Sequence, residues 1–482
     1  MVQNDFLQYR VFQRIAEASA ALHQESYVIG GYVRDLLLQR PSNDIDVVTV
    51  GSGIDLARRV AENSGGAKIT VYKSFGTAMI KVKEGSEWLE LEFVGARKES
   101  YRTDSRNPVV EAGTLEDDLN RRDFTINALA LSLNAASYGQ LLDPFNGLSD
   151  LKNKLIRTPQ DPDITYSDDP LRMIRAIRFA SQLGFSIVTE SFAAISRNVD
   201  RIHILSQERI TDELMKIIRS PRPSVGFQLL MDSGLLQQIL PEMVALSGTE
   251  TKKGRSHKDN FSHTLEVLDN VAAASDNPWL RWAAVFHDIA KPVTKRWDEN
   301  IGWTFHNHDY QGGQMLPSIF KRLRMPLGDE LNYVKKLVLL HLRPQVLAES
   351  IVTDSAVRRL LFDAGNDVDD LMILCEADIT SKNEKKKQRF LQNFALVRQK
   401  IVDVEANDRI RNWQPPVDGT IIMETFDLAP SVTVGVLKLA IREAILDGVI
   451  PNEFHAAYDF LLKKGKELNL PVVKNFLNAV DD

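Results

Sequence analysis

Between Phe6 and Leu22 the apolar positions recur at helical spacing and no breaker interrupts them, which predicts a helix. "YVIGG" (Tyr27–Gly31) then reads as a short strand closed by two glycines. "YVRDLLLQ" (Tyr32–Gln39) reads as a helix start, and the β-branched "DIDVVTV" (Asp44–Val50) as a second strand. "AKITVYKSFGTAMIKV" (Ala67–Val82) and "EWLELEFVGAR" (Glu87–Arg97) add further strands, so the first 150 residues predict a mixed sheet flanked by helices. Residues 186–245 carry helical patterns, as in "PSVGFQLLMDSGLLQQIL" (Pro223–Leu240). Residues 386–482 are also mainly helical by pattern, with a break at "NWQPPVDG" (Asn412–Gly419).

Length and composition narrow the class. A chain of 482 residues has room for about three domains. With 44% hydrophobic and 26% charged residues it reads as an ordinary globular chain rather than a disordered one. No apolar run approaches the ~18 residues of a membrane span, and the N-terminus has no signal-peptide core. The single cysteine, Cys375, excludes an internal disulfide and fits a reducing cytosol, so the expected location is cytoplasmic. The net charge of −6 gives no global attraction to nucleic acid but leaves room for a local basic face. The densest basic run, "NEKKKQRF" (Asn383–Phe390), is either a solvated helix face or a contact to RNA phosphates.

The chemistry starts at the glycine pair. Gly30 and Gly31 at a strand-to-helix turn let the backbone approach a phosphate, and Arg34 is placed to reach the same anion. Asp44 and Asp46 share one face of their strand and send Ile45 to the other. Two carboxylates that close repel unless a cation lies between them, and Mg²⁺ shared with substrate phosphates is the economical choice. This is the arrangement a two-metal phosphoryl transfer requires. Glu92 in "LELEF" is either a third carboxylate or part of an alternating, half-exposed strand.

"GGYVRD…DID", "RRDFTINALA" (Arg121–Ala130), "DPFNGLSDL" (Asp143–Leu151) and "DDPLRMIRAIRFA" (Asp168–Ala180) together span roughly residues 25–185. In combination they resemble the class II tRNA nucleotidyltransferases, the family shared by CCA-adding enzymes and bacterial poly(A) polymerases. The resemblance implies that Arg122 contacts phosphate, that Asp123 accepts from the ribose 2′-OH, and that Arg175 and Arg178 hold the triphosphate. The family usually has Glu where this chain has Asp168, which keeps the charge one methylene shorter. The helix predicted to begin near Asp168–Pro170 puts Asp169 and Arg172 on one face. A carboxylate beside a guanidinium matches the amine and ring acceptor shared by cytosine and adenine, and mismatches guanine and uracil. The polar stretch 96–118, with Arg97, Lys98, Arg102 and Arg106, looks like the flexible loop that A-adding members possess and CC-only members lack.

A second constellation lies between residues 257 and 380, where six of the nine histidines fall between His257 and His341. His287–Asp288 at the end of an apolar helix resembles the signature of HD-domain metal-dependent phosphohydrolases. The resemblance assigns His263, His287, Asp288 and Asp378 as ligands, with His308 and His341 extending the site to two metals. His257 and His306 leave the assignment around "FHNHD" open. Imidazoles with carboxylates suit Mn²⁺, Ni²⁺ or Fe²⁺, and such an ion activates water toward a phosphoester.

The expected architecture is an α+β nucleotidyltransferase head with a polymerase-beta-like mixed sheet (1–150), then an all-α neck and body that meet RNA (151–245). An all-α HD domain (246–385) and a helical C-terminal region (386–482) follow. The expected function is template-independent addition of C, C and A to tRNA 3′ ends from CTP and ATP, with an HD phosphohydrolase activity on RNA phosphate ends as a second expectation. A poly(A) polymerase with the same head is one alternative. An HD phosphohydrolase whose head merely binds RNA is another.

Overall fold

The computed structural model describes residues 8–102, 105–349, 353–381, 383–408 and 414–477. The chain divides into two compact units, Met1–Val244 with Leu323–Met325, and Ala245–Arg322 with Pro326–Asp482.

The first unit begins with α1 (Arg10–Ala21), which buries Val11, Phe12 and Ile15. β1 (Glu25–Ile29) leads through Gly30 into α2 (Gly31–Leu37), and β2 (Asp44–Val50) follows. α3 (Gly53–Asn63), an element the strand-rich reading of this region passed over, is capped by the Ser52 side chain. β3 (Ile69–Tyr72), β4 (Thr77–Glu84) and β5 (Glu87–Gly95) come next, and the predicted strands lie where their alternation put them. The stretch expected to be a flexible loop instead pairs as an antiparallel hairpin, β6 (Arg97–Arg102) with β7 (Ser105–Ala112). The stretch is a nearly continuous polar run in the sequence, so hydrophobic periodicity could not reveal the strands. Thr103 and Asp104, and the side chains of Arg102 and Arg106, lie outside what the structure describes.

α4 (Leu115–Asn120), capped by a Thr114–Asp117 box, precedes β8 (Ala130–Ser132) and β9 (Leu141–Leu142). The main sheet is seven-stranded and mixed, in the order β3-β4-β5-β2-β1-β8-β9, with β2 antiparallel to β1 and parallel to β5. Val28, Ile29, Ile45, Val47, Leu91 and Phe93 are fully buried in its core. The "DPFNGLSDL" stretch forms a clamp. Asp143 accepts from the amides of Gly147 and Leu148, and buried Asp150 accepts from Thr125 Oγ1 at 2.7 Å. A Cβ on Gly147 would lie 2.4 Å from the Thr125 carbonyl oxygen, so only glycine lets α5 (Gly147–Asn153) pack there.

Helices complete this unit: α6 (Pro162–Asp168), α7 (Leu171–Leu183), α8 (Thr189–Arg197), α9 (Gln207–Ile218), α10 (Pro223–Asp232), α11 (Leu235–Ile239) and α12 (Pro241–Val244). Asp168 ends α6 rather than opening α7. Asp169 is extended (φ −132°, ψ 97°) because a residue before proline is pushed out of helical geometry, and Pro170 caps the next helix.

The second unit is almost wholly helical. α13 (Asn260–Ala274), α14 (Pro278–Phe286), α15 (Lys291–Thr294), α16 (His308–Arg322), α17 (Asp329–Leu340) and α18 (Arg343–Glu349) are followed by α19 (Asp354–Ala364) and α20 (Val368–Ala377). A short hairpin, Arg296–Asp298 with Gly302–Thr304, stands between α15 and α16. α21 (Glu384–Asp408) opens on the basic run, and α22 (Gly419–Phe426), α23 (Val432–Leu446) and α24 (Phe454–Glu467) pack a core around Phe426, Leu437, Ile441 and Tyr458. Among the described residues no helix is long and apolar enough to cross a membrane.

Candidate active site and candidate metal centre

β2 presents Asp44 and Asp46 on the face opposite buried Ile45. The parallel register sets Asp46 beside Glu92 on β5, which adds the third carboxylate that alternation alone left undecided. Burial raises the pKa of Asp46; Arg122 works against it, and Asp44 adds to it. Glu92 is raised by burial and by Asp46 and Asp44. Asp44 is raised by burial and by Glu90. Burial and neighbouring carboxylates raise all three, a cost that a divalent cation would relieve. A cleft of about 490 Å³ runs from Asp46 and Glu92 along the same sheet face to Met79, Thr77 and Tyr72, with Arg97, Arg121 and Arg122 on its rim.

The glycine turn is built against these groups. Gly30 has φ +74°, and a Cβ there would stand 2.9 Å from Arg122 Nη1 and 3.2 Å from Asp46 Oδ2. Arg34 lies beside Gly31 but is also a brace. It donates to both oxygens of Asp35 and, at 2.8 Å, to Asn127 Oδ1. Asn127 in turn donates to Asp123 Oδ1 at 2.9 Å, and Arg175 Nε donates to Asp123 Oδ2 at 2.8 Å. Burial alone would raise the Asp123 pKa; Arg175 and Asn127 instead take it down to about 2. Phe179 gathers three guanidinium groups, with Arg178, Arg34 and Arg175 at 3.9, 4.8 and 5.6 Å from its ring centroid. Arg178 Nε lies 2.5 Å from Glu213 Oε2.

Arg172 Nη2 donates to the Arg121 carbonyl at 2.6 Å, and Asp169 Oδ1 accepts from the Leu171 amide at 3.2 Å. The structure therefore brings Gly30, Asp46, Arg122 and Glu92 to one place, and joins Arg34, Asp123 and Arg175 into one hydrogen-bonded chain beside it. Two further braces, Asn127 and Asp118, were not singled out from the sequence. Asp118, on α4, is fully buried and holds both Arg121 and Arg122 just beyond that helix, and its signal was its spacing of three and four residues from them.

In the second unit, His263, His287 and Asp378 form one group whose ligating atoms lie within 4.8 Å of one another; Asp288, His308 and His341 form another. These are the only such groups among the described residues, and the three head carboxylates do not form one. That suits a head ion taking few ligands from protein and the rest from substrate. Asp288 is central: its oxygens lie 3.2 Å from both His287 Nε2 and His308 Nε2, and 3.6 Å from His263 Nε2. His263 Nε2 is 2.8 Å from Asp378 Oδ1.

The outer nitrogens fix the tautomers. Nδ1 of His287, His308 and His341 donates to the carbonyls of Ala284, Phe305 and Val338 at 2.7 to 2.8 Å, each three residues back. His263 Nδ1 meets Thr380 Oγ1 at 2.9 Å. Nε2 of each ring then faces inward, the atom that would hold a metal, on His287 once its proton has left. Nε2 of His287 and of His308 are buried and face Asp288, with no well-aligned hydrogen bond to it, as at a position an ion could take.

Burial opposes charge on His287, yet Asp288 outweighs it and raises this pKa to about 8; burial and His287 lower His341 to about 4. Asp288 and Asp378 are held below the ordinary carboxylate range, against burial, by His287 and His263 respectively. A proton and the Lys291 ammonium, 2.5 Å from Asp288 Oδ2, thus neutralise a site whose donor set fits a cation. Lys291 and Gln345, which donates to Asp378, were not singled out from the sequence, although Lys291 stands one helical turn from Asp288. His306 is exposed and stands apart from both groups, and His257 belongs to a different cluster.

A nucleotidyltransferase head and an HD-type centre are the classes that this fold and these sites define. The poly(A) polymerase head domain family matches residues 26–157, the probable RNA and SrmB-binding site of polymerase A matches 184–246, and the HD domain matches 260–383. The CCA-adding enzyme of Anoxybacillus flavithermus is 36% identical over 292 residues, covering 60% of this chain and 67% of the relative. The multifunctional CCA protein of Pseudomonas aeruginosa is 31% identical over 351 residues, covering 69% of this chain and 80% of the relative. The structure of the Bacillus stearothermophilus CCA-adding enzyme in complex with CTP matches at a TM-score of 0.64 with 23% identity, covering 97% of this chain and 99% of that one, and supports the fold. The chain belongs to the family of CCA-adding enzymes and bacterial poly(A) polymerases, and it carries an HD domain.

Proposed function

We propose that this protein adds C, C and A to the 3′ end of tRNA, without a nucleic-acid template, from CTP and ATP in the cytoplasm. The observation that carries this reading is the meeting of Asp46, Glu92, Gly30 and Arg122 at one cleft beside the Asp123–Arg175 pair. A Mg²⁺ held by Asp44, Asp46 and Glu92 would supply charge stabilisation at the transferring phosphate. The chain's own groups do the rest. Gly30 and Gly31 let the triphosphate approach the backbone, Arg122 and Arg178 face its charge, and Asp123 orients the ribose 2′-OH while Arg175 holds the carboxylate ionised. Asp169 and Arg172, presented at the α6–α7 junction, select the amine-bearing bases. The helices at 151–245 carry the tRNA. The named relatives, which are CCA-adding proteins, support the choice of substrate.

We assign the centre at 246–385 a second, independent activity: hydrolysis of a 2′,3′-cyclic or terminal phosphate on RNA with Mn²⁺, Ni²⁺ or Fe²⁺. The two ligand groups and the inward-facing Nε2 atoms support it. The buried thiol of Cys375 suits a reducing compartment. The test is incubation with tRNA lacking its 3′ CCA and each NTP separately. CTP should add two residues, ATP should complete the end only after CTP, and UTP and GTP should be refused. A long tail from ATP alone would instead identify a poly(A) polymerase.

A further inference from the structure

Beside the HD-type centre is a pocket of about 450 Å³, lined by the loop 245–250, His257, Asn260, Pro292, Lys295 and Phe305. Its volume falls within the range of small-molecule sites, ~300–1,000 Å³. Three links place it next to the metal ligands. Asn260 opens α13, and His263 stands one turn further along that helix. The Phe305 carbonyl holds His308 Nδ1. The Lys291 ammonium lies 5.8 Å from the Phe305 ring centroid while its other side meets Asp288.

The pocket has flat walls and polar edges. His257 meets Phe305 edge to face at 5.8 Å and Trp303 edge to face at 5.8 Å. Lys295 Nζ stands 2.8 Å from His257 Nε2 and 4.3 Å from the Trp303 ring centroid. His257 Nδ1 donates to the Lys258 carbonyl, and Nε2 accepts from Lys295 and, at 3.2 Å, from the Glu250 amide. His257 is thereby fixed as a wall. Ser247, Thr249 and Asn260 add hydrogen-bonding groups at the rim. Aromatic faces, a few convergent polar groups and a lysine suit a heterocyclic base attached to an anion.

We propose that this pocket seats the base of the nucleotide whose phosphate is cleaved at the HD-type centre. The centre is then selective for nucleotide phosphoesters over phosphate esters that lack a base. This rests on reading the centre as a phosphohydrolase.

The test compares adenosine 2′,3′-cyclic monophosphate with bis(p-nitrophenyl) phosphate, which offers no base to seat, in the full-length protein loaded with Mn²⁺ or Ni²⁺. Phe305→Leu keeps apolar volume and removes the flat face. It should lower the ratio of kcat/KM for the cyclic nucleotide over the reference ester about tenfold, through KM, and Lys295→Met should lower it in the same direction. Equal losses on both substrates, or an unchanged ratio, overturn the proposal. A short RNA ending in a cyclic phosphate separates the sources. A matching fall there means that an RNA end is seated, and a fall confined to the mononucleotide means that a free nucleotide is.

If the wild type hydrolyses none of these with any metal, the phosphohydrolase reading fails, and binding decides the pocket by itself. Adenosine 2′-monophosphate should bind the wild type in equilibrium dialysis and bind Phe305→Leu at least tenfold more weakly, since the Phe305 ring lines the pocket. Equal binding by the two, or no binding to the wild type, overturns the base pocket as well.

Discussion

Asp46 is expensive where it stands: burial and a neighbouring carboxylate both raise its pKa, so its charged form weakens the metal-free fold. Asp46→Asn should therefore raise the melting temperature of chelator-treated protein by roughly 2 °C while lowering nucleotide addition by several orders of magnitude. Thermal scans and a CTP-incorporation assay on the same preparation check both halves. Asp123 is the opposite case, with a folded pKa of about 2 against an ordinary 3.8. A depressed carboxylate adds stability that is present above pH ~4 and lost as pH falls toward 2; for this pair it is roughly 2–3 kcal/mol. Asp123→Asn should be less stable at neutral pH, and its denaturant midpoint should fall less steeply between pH 4 and 2. Parallel pH curves for the two proteins would contradict the ion-pair account. At this scale the sequence told much about Asp44 and Asp46, because strand alternation alone puts them on one face. It told little about Asp118 or Asn127, because a buried brace has no pattern until its partners fold against it.

At the scale of elements, the strands and most helices were legible because each buries one face, and that face writes a period into the chain. The β6–β7 hairpin was not, since polar side chains on both faces leave no period to read. Its closing residues pack tightly: a Cβ on Gly113 would stand 2.7 Å from the Lys98 amide nitrogen. Replacing residues 98–111 by a short glycine linker should leave C addition to a truncated tRNA near normal and reduce A addition at least tenfold. Equal loss of both would make the hairpin a scaffold for the whole head. The α6–α7 junction misled by two residues for a local reason, the steric demand of Pro170 on Asp169. That same kink sets the Asp169 carboxylate at the mouth of α7, and Asp169→Ala should relax the preference for CTP and ATP over UTP and GTP. Unchanged relative use of the four nucleotides would make Asp169 merely structural.

At the scale of the molecule, the two sites belong to different compact units and use different donor sets: carboxylates in the first, imidazoles with carboxylates in the second. The double substitution His287→Ala with Asp288→Ala should abolish phosphate hydrolysis and leave CCA addition to clean 3′-OH ends within about twofold. Loss of both activities in a folded double variant would show that the units depend on each other. The order of histidines and aspartates along the chain was enough to suggest the second site. Only the folded structure separates His308 from His306 two residues away, since His308 opens α16 and is buried while His306 precedes the helix and is exposed.

Three of the four imidazoles at that centre are anchored to a carbonyl of their own chain three residues back, and the fourth to Thr380. These anchors do not involve an ion, so the cage has its shape before anything enters it. Uptake should then require only that the His287 proton and the Lys291 ammonium give way and that the aquo ion shed its water; the first step is common to all ions, so stopped-flow loading rates should rank with the water-exchange rates of the ions offered, nickel slowest and manganese among the fastest. A cage of that kind accepts whichever suitable ion the surroundings supply, which makes the ion found in a purified sample a record of the growth medium as much as of the protein.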